Sequence, residues 1–167
     1  KEFSKRAYAM GAHITGIKRN IKEKPEYIER LCTMDSLYEE LEKADIIVSS
    51  LPGSKSTYHL LNEEALTHVK KQPIFVNVGR GTLMDSKVLE KALKEKIFSG
   101  AYIDVTDPEP LPKENELWNL NNLIITPHVT GGYHLDETLN RIVQISATNI
   151  KNYCEGKEII NKVNLED

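Results

Sequence analysis

Apolar runs of strand length, rich in Val and Ile, alternate along this chain with stretches whose apolar positions recur at three-to-four spacing. Runs over 12–18, 45–51, 73–78, 100–105 and 123–126 read as strands. Helical stretches over 2–10, 35–43, 62–69, 85–96 and 134–153 lie between and around them, with Asp35, Asn62 and Asp85 as expected N-caps and Gly11 and Gly156 as stops. Strands that are apolar at nearly every position fit a parallel sheet buried on both sides, because strict alternation would mark a sheet with one wet face. The pattern therefore predicts an α/β fold with a doubly wound parallel sheet.

At 167 residues the chain has room for one domain with a real core. The expected division is a domain over 1–155 and a tail over 156–167. A net charge of -3 gives no basic face for nucleic acid. The longest apolar runs, such as Ile46-Ile47-Val48, stop far short of the roughly 20 residues of a membrane helix. Cys32 and Cys154 have neither metal spacing nor a pairing pattern, so no metal is expected, and free thiols fit a reducing, cytoplasmic setting.

Three segments each close a strand with a polar residue: F-V-N-V-G-R-G with Arg80, Y-I-D-V-T-D-P-E-P-L with Glu109, and I-I-T-P-H-V with His128. The carboxyl ends of the strands are where open α/β sheets bind their ligands. Arg80 can fork two N–H donors onto a carboxylate, Glu109 can orient an imidazole, and His128 can move a proton. Each alone has a bland reading, as a surface charge, a turn acid or a loop histidine. The three together, in this order, make a set suited to acid–base chemistry on a small carboxylate.

These segments, with L-E-K-A-D-I-I-V-S-S-L-P-G-S-K-S-T-Y-H-L-L-N and A-L-K-E-K-I-F-S-G-A-Y-I-D-V, resemble the nucleotide-binding domain of the D-isomer-specific 2-hydroxyacid dehydrogenases over nearly the whole chain. The resemblance implies a Rossmann-type NAD(P)-binding domain, an oxidoreductase acting on a small 2-keto or 2-hydroxy acid, a homodimer, and Arg80, Glu109 and His128 as the catalytic residues. It further implies cofactor contacts from Pro52, Gly53, Ser54 and Thr57, from Val78, Gly79 and Arg80 beside the nicotinamide, from Asp104 to the carboxamide, and from His128, Gly131 and Gly132. Trp118 and Tyr133 are candidates for shaping the substrate pocket, and His59 and His134 for bordering it.

Two departures from the family pattern matter. Where NAD-preferring members carry an acid after the second strand, this chain has Gly16-Ile17-Lys18-Arg19-Asn20, and the cations Lys18 and Arg19 suit a ribose 2′-phosphate. The expected cofactor is NADP in preference to NAD. The second departure is that G-x-G-x-x-G occurs nowhere and the chain opens inside what reads as the first helix. The expectation is that an upstream strand, its glycine loop and a substrate domain lie outside this sequence. An alternative function of the same fold is a non-catalytic NAD(P)-sensing or interaction module.

Overall fold

A computed structural model describes residues 1–21, 23–132 and 135–162. Helix α1 (Glu2–Ala9) ends before Gly11, which takes the left-handed φ of 89° that glycine adopts freely. β1 (Thr15–Ile17) then pairs in parallel with β2 (Arg30–Cys32), Thr15 opposite Arg30. Four more strands, β3 (Ile46–Ser49), β4 (Ile74–Asn77), β5 (Gly100–Ile103) and β6 (Leu123–Ile125), form a second parallel sheet in sequential order. Between them run α3 (Glu63–Thr67), α4 (Ser86–Lys94) and a 3-10 turn (Glu116–Asn119), while α2 (Leu37–Leu41) precedes β3 and α5 (Asp136–Cys154) ends the architecture.

Local chemistry starts two of the helices as the sequence predicts. Asn62 accepts the Ala65 N–H at 2.9 Å and Asp85 accepts the Lys87 N–H at 2.8 Å, satisfying amides that have no partner in the first turn. Asp35 does not cap a helix. The chain leaving β2 first makes a 3-10 turn, Met34–Ser36, so Asp35 lies within that turn, accepting from the Thr33 hydroxyl at 3.1 Å, and Ser36 stands at the N-cap of α2. The sequence does not predict β2, since Arg30-Leu31-Cys32 carries one strongly apolar residue and exists as a strand through its pairing with β1. The expected start of the last helix at His134 lies outside the described residues.

The register lines up Ile47, Phe75, Ala101 and Leu123 across one face of the larger sheet, with Ser49, Asn77, Ile103 and Ile125 in the next row. That face packs on Leu66, Leu89, Ala92, Leu93 and Phe98. Phe75 and Phe98 stack at 5.1 Å between centroids and are almost wholly buried. Burying each of these rings contributes about 1.5–3 kcal/mol to the fold. On the opposite face Ile46, Ile74 and Ile124 are exposed among the described residues, so these residues cover one side of the sheet where the sequence predicts cover on both.

Candidate functional site

All four strands of the larger sheet run parallel, so the loops leaving β3, β4, β5 and β6 gather along one edge. That edge carries Pro52, Ser54 and Thr57, then Arg80, then Asp104 and Glu109, then His128 and Gly131. Lys18 and Arg19 stand exposed at the equivalent end of β1, in the two-stranded sheet.

The loop bearing Arg80 is fixed from both sides. A Cβ on Gly79 would sit 2.7 Å from the Leu51 N and closer still to the Leu51 carbonyl. One on Gly81 would sit 2.7 Å from the Asp107 N and overlap the Thr106 carbonyl. The loop therefore threads between the ends of β3 and β5 with no room for side chains beside Arg80. Buried Asn77 completes the hold: its Oδ1 accepts the Gly79 N–H at 3.0 Å and its Nδ2 donates to the Arg80 carbonyl at 2.9 Å. The Arg80 side chain is exposed, with Nη1 donating to the Gly79 carbonyl at 2.7 Å. Its stem passes Gly53, where a Cβ would lie 3.4 Å from Arg80 Cγ.

Glu109 and His128 meet directly, Oε1 to Nδ1 at 2.8 Å, with their side chains 38% and 42% exposed. An ionised carboxylate only accepts, so Nδ1 is the donor of this bond. The His128 backbone has a φ of 51°, in the left-handed region that non-glycine residues visit uncommonly. Its N–H donates to the carbonyls of Asp104 at 2.9 Å and Thr126 at 3.0 Å.

Asp104 is 1% exposed and its carboxylate is fully engaged by the His128 loop. Oδ1 accepts from the Thr126 hydroxyl and from the Val129 N–H at 3.0 Å, and Oδ2 accepts the Thr130 N–H at 2.8 Å. Burial alone would raise this carboxyl, but the Thr126 hydroxyl and the Thr130 and Val129 amides outweigh it and hold the group below the ordinary Asp value. The Tyr102 hydroxyl lies 2.8 Å from Thr126 Oγ1.

Of the other residues singled out from the sequence, Thr57 turns its hydroxyl inward, donating to the Pro52 carbonyl at 2.7 Å and accepting the Ser54 N–H at 3.0 Å. It shapes the loop after β3 from within. Val78 is held by its N–H to the Ser49 carbonyl at 3.0 Å. Gly131 has a φ of 78° and open space where a Cβ would be. His59 stacks on Tyr58 at 4.0 Å, and Trp118 Nε1 donates to the Pro112 carbonyl at 2.9 Å while its ring stays exposed. Tyr133 and His134 lie outside the described residues. Asn77, Tyr102 and Thr126 are not singled out from the sequence as site residues, although they stand inside N-V-G-R-G, Y-I-D-V-T-D-P-E-P-L and T-P-H. Among the described residues no group of three His, Cys, Asp or Glu could hold a metal, and no helix is long and apolar enough to cross a membrane.

A parallel α/β domain with an arginine, a carboxylate–imidazole pair and loop backbone gathered on the carboxyl edge is built like a nucleotide-dependent oxidoreductase domain. Residues 1–130 match the model of the D-isomer specific 2-hydroxyacid dehydrogenase NAD binding domain. The chain is 37% identical over 126 residues to a glyoxylate reductase of Korarchaeum cryptofilum, covering 75% of this chain and 37% of that protein. It is 35% identical over 161 residues to a D-3-phosphoglycerate dehydrogenase of Methanocaldococcus jannaschii, covering 96% of this chain and 30% of that protein. The crystal structure of a D-isomer specific 2-hydroxyacid dehydrogenase from Xanthobacter autotrophicus Py2, in complex with NADPH and MES, aligns with a TM-score of 0.87 at 28% identity, covering 96% of this chain and 64% of that one. The chain belongs to the D-isomer specific 2-hydroxyacid dehydrogenase family. It spans between 30% and 37% of the length of these two curated relatives.

Proposed function

We propose that the protein containing this chain is an NAD(P)-dependent oxidoreductase that interconverts a small 2-keto acid and its D-2-hydroxy acid. Residues 1–155 form its NAD(P)-binding domain, with 156–167 as a tail. The observation that carries this reading is the His128–Glu109 pair, at 2.8 Å, on the same sheet edge as Arg80. A pure sensing module has no use for a carboxylate-oriented imidazole on the ligand edge.

The residues present fit a dinucleotide by the chemistry of their donors. Lys18 and Arg19 are cations where a ribose 2′-phosphate would sit, which favours NADP over NAD, and Gly131 leaves open backbone beside His128. Pro52, Ser54 and Thr57 would line the adenosine and phosphate side, with Val78, Gly79 and Asp104 on the nicotinamide side. A bound nicotinamide supplies or accepts the hydride. Arg80 takes the substrate carboxylate in a two-pronged grip and so fixes the face presented. His128 Nε2 delivers a proton to the keto oxygen as charge develops there, and Glu109 holds the ring at Nδ1 throughout. The acid itself is small, as for the glyoxylate reductases to which the chain is similar. The assembly is a homodimer, and free Cys32 and Cys154 accord with a cytoplasmic location.

Replacing His128 by alanine in the full-length protein tests the reading. Cofactor affinity should stay within about twofold while the reduction rate falls by about 10²–10⁴, the range for a positioned proton donor. An unchanged rate would refute the assignment.

A further inference from the structure

We propose that the Tyr102–Thr126–Asp104 hydrogen-bond chain is a positioning device that holds the His128 backbone in its left-handed conformation, and with it the imidazole against Glu109. The inference rests on the reading of His128 as the proton donor and extends it to residues that touch neither substrate nor the reacting atoms.

Three successive amides carry the argument. The N–H groups of His128, Val129 and Thr130 all donate to Asp104, the first to its carbonyl at 2.9 Å and the next two to the two carboxylate oxygens at 3.0 and 2.8 Å. A non-glycine residue at a φ of 51° is uncommon and needs support from its surroundings, and here Asp104 on the neighbouring strand end, together with the Thr126 carbonyl, supplies it. An aspartate suits the task because it offers two acceptor oxygens and no donor; an asparagine would turn an NH₂ against one of those amides.

The chain also has a direction. Thr126 has one hydroxyl hydrogen and gives it to Asp104 Oδ1, so at the 2.8 Å contact Tyr102 must be the donor. Tyr102 lies on the sheet face opposite buried Ala101 and Ile103 and reaches from β5 across to the residue that follows β6. Tyr102 orients Thr126, Thr126 supports Asp104, and Asp104 sets three amides in a row. Linked hydrogen bonds of this kind reinforce one another in a poorly solvated setting. The fixed loop then places the His128 ring.

The test uses the full-length protein and the variants Thr126→Val, Thr126→Ser and Tyr102→Phe, with hydrogen–deuterium exchange of the segment containing Val129 and Thr130 as a readout independent of turnover. Thr126→Val removes the hydroxyl at nearly constant shape and should speed that exchange about fivefold to tenfold. It should lower kcat by about 10- to 100-fold through displacement of the proton donor, with the Kd of NADPH within about threefold. Thr126→Ser keeps the hydroxyl and should recover most of both, and Tyr102→Phe should give a smaller change in the same direction. Unchanged exchange and kcat in Thr126→Val would overturn the proposal. So would a weakened Kd with kcat and exchange intact, which would assign Asp104 to the cofactor alone. Should Thr126→Val fail to fold, Tyr102→Phe decides by the same exchange measurement. If His128→Ala turns over normally, the proton-donor reading fails by itself, and the exchange rates still decide whether the clamp exists.

Discussion

Replacing Gly81 by alanine should push apart two loops that the site needs in contact. The φ of Gly81 lies outside the left-handed region, so alanine can adopt its backbone and the problem is purely one of space. The added methyl would stand 2.7 Å from the Asp107 N and overlap the Thr106 carbonyl; reaching an ordinary contact of 3.4 Å demands a shift of at least about 0.7 Å from the nearest amide and more from the carbonyl. Neither side yields easily. Asn77 ties one loop through Gly79 N and the Arg80 carbonyl, while the Ser86 hydroxyl holds the Asp107 carbonyl at 2.8 Å on the other. Overpacking of a fixed site costs about 1–3 kcal/mol, and the rigidity here argues for the upper half of that range. Because one loop bears Arg80 and the other leads to Glu109, a separation of more than about 1 Å should also lower kcat/KM by about 10- to 100-fold. Urea unfolding and steady-state kinetics of the full-length protein measure both effects. Gly53→Ala is the matched control: its methyl meets Arg80 Cγ at an ordinary 3.4 Å and should cost under about 0.5 kcal/mol. A Gly81→Ala protein as stable and active as the parent, or a Gly53→Ala protein equally destabilised, would refute the reasoning.

Changing Lys18 to Glu together with Arg19 to Ser should weaken NADPH about 10- to 100-fold, in keeping with the loss of charge-assisted hydrogen bonds, and leave NADH within a fewfold; equal losses in a binding titration would remove the 2′-phosphate assignment. The Asp104 carboxyl has its folded pKa below the ordinary Asp value of about 3.9, so its ionised form stabilises the native state. That contribution is complete above about pH 4 and is lost as pH falls further through the folded pKa. The stability gap between the parent and Asp104→Asn should therefore be widest above about pH 4 and narrow below it, and a gap that widens in acid would contradict the assignment.

What the sequence made legible were features that local chemistry decides. Asn62 and Asp85 cap helices because an Asx side chain reaches an amide two or three residues on, a contact written entirely within the neighbouring residues. The strands of the larger sheet were readable from continuous Val and Ile, and Glu109 and His128, 19 positions apart, could be paired through the resemblance that orders their motifs. Features decided by tertiary contact were not. β2 is a strand because β1 lies beside it, and Asp35 loses its expected cap because the chain tightens into a 3-10 turn. The same holds for Asp104, whose carboxylate is met by donors 22 to 26 positions away. Thr57 and Asn77 likewise reveal their inward hydrogen bonds only once the loops are folded. The open face with Ile46, Ile74 and Ile124 shows that apolar residues on both sides of a strand record a need for two covering layers without saying which residues supply them.

The most direct test of the central claim is to titrate the full-length protein with NADPH and NADH and then follow oxidation of each with glyoxylate, hydroxypyruvate, pyruvate and longer 2-keto acids. NADPH should bind more tightly than NADH and be oxidised by at least one small 2-keto acid, giving the D-hydroxy acid wherever the product is chiral. Tight binding of cofactor with no turnover across the panel would contradict the claim and favour a sensing module.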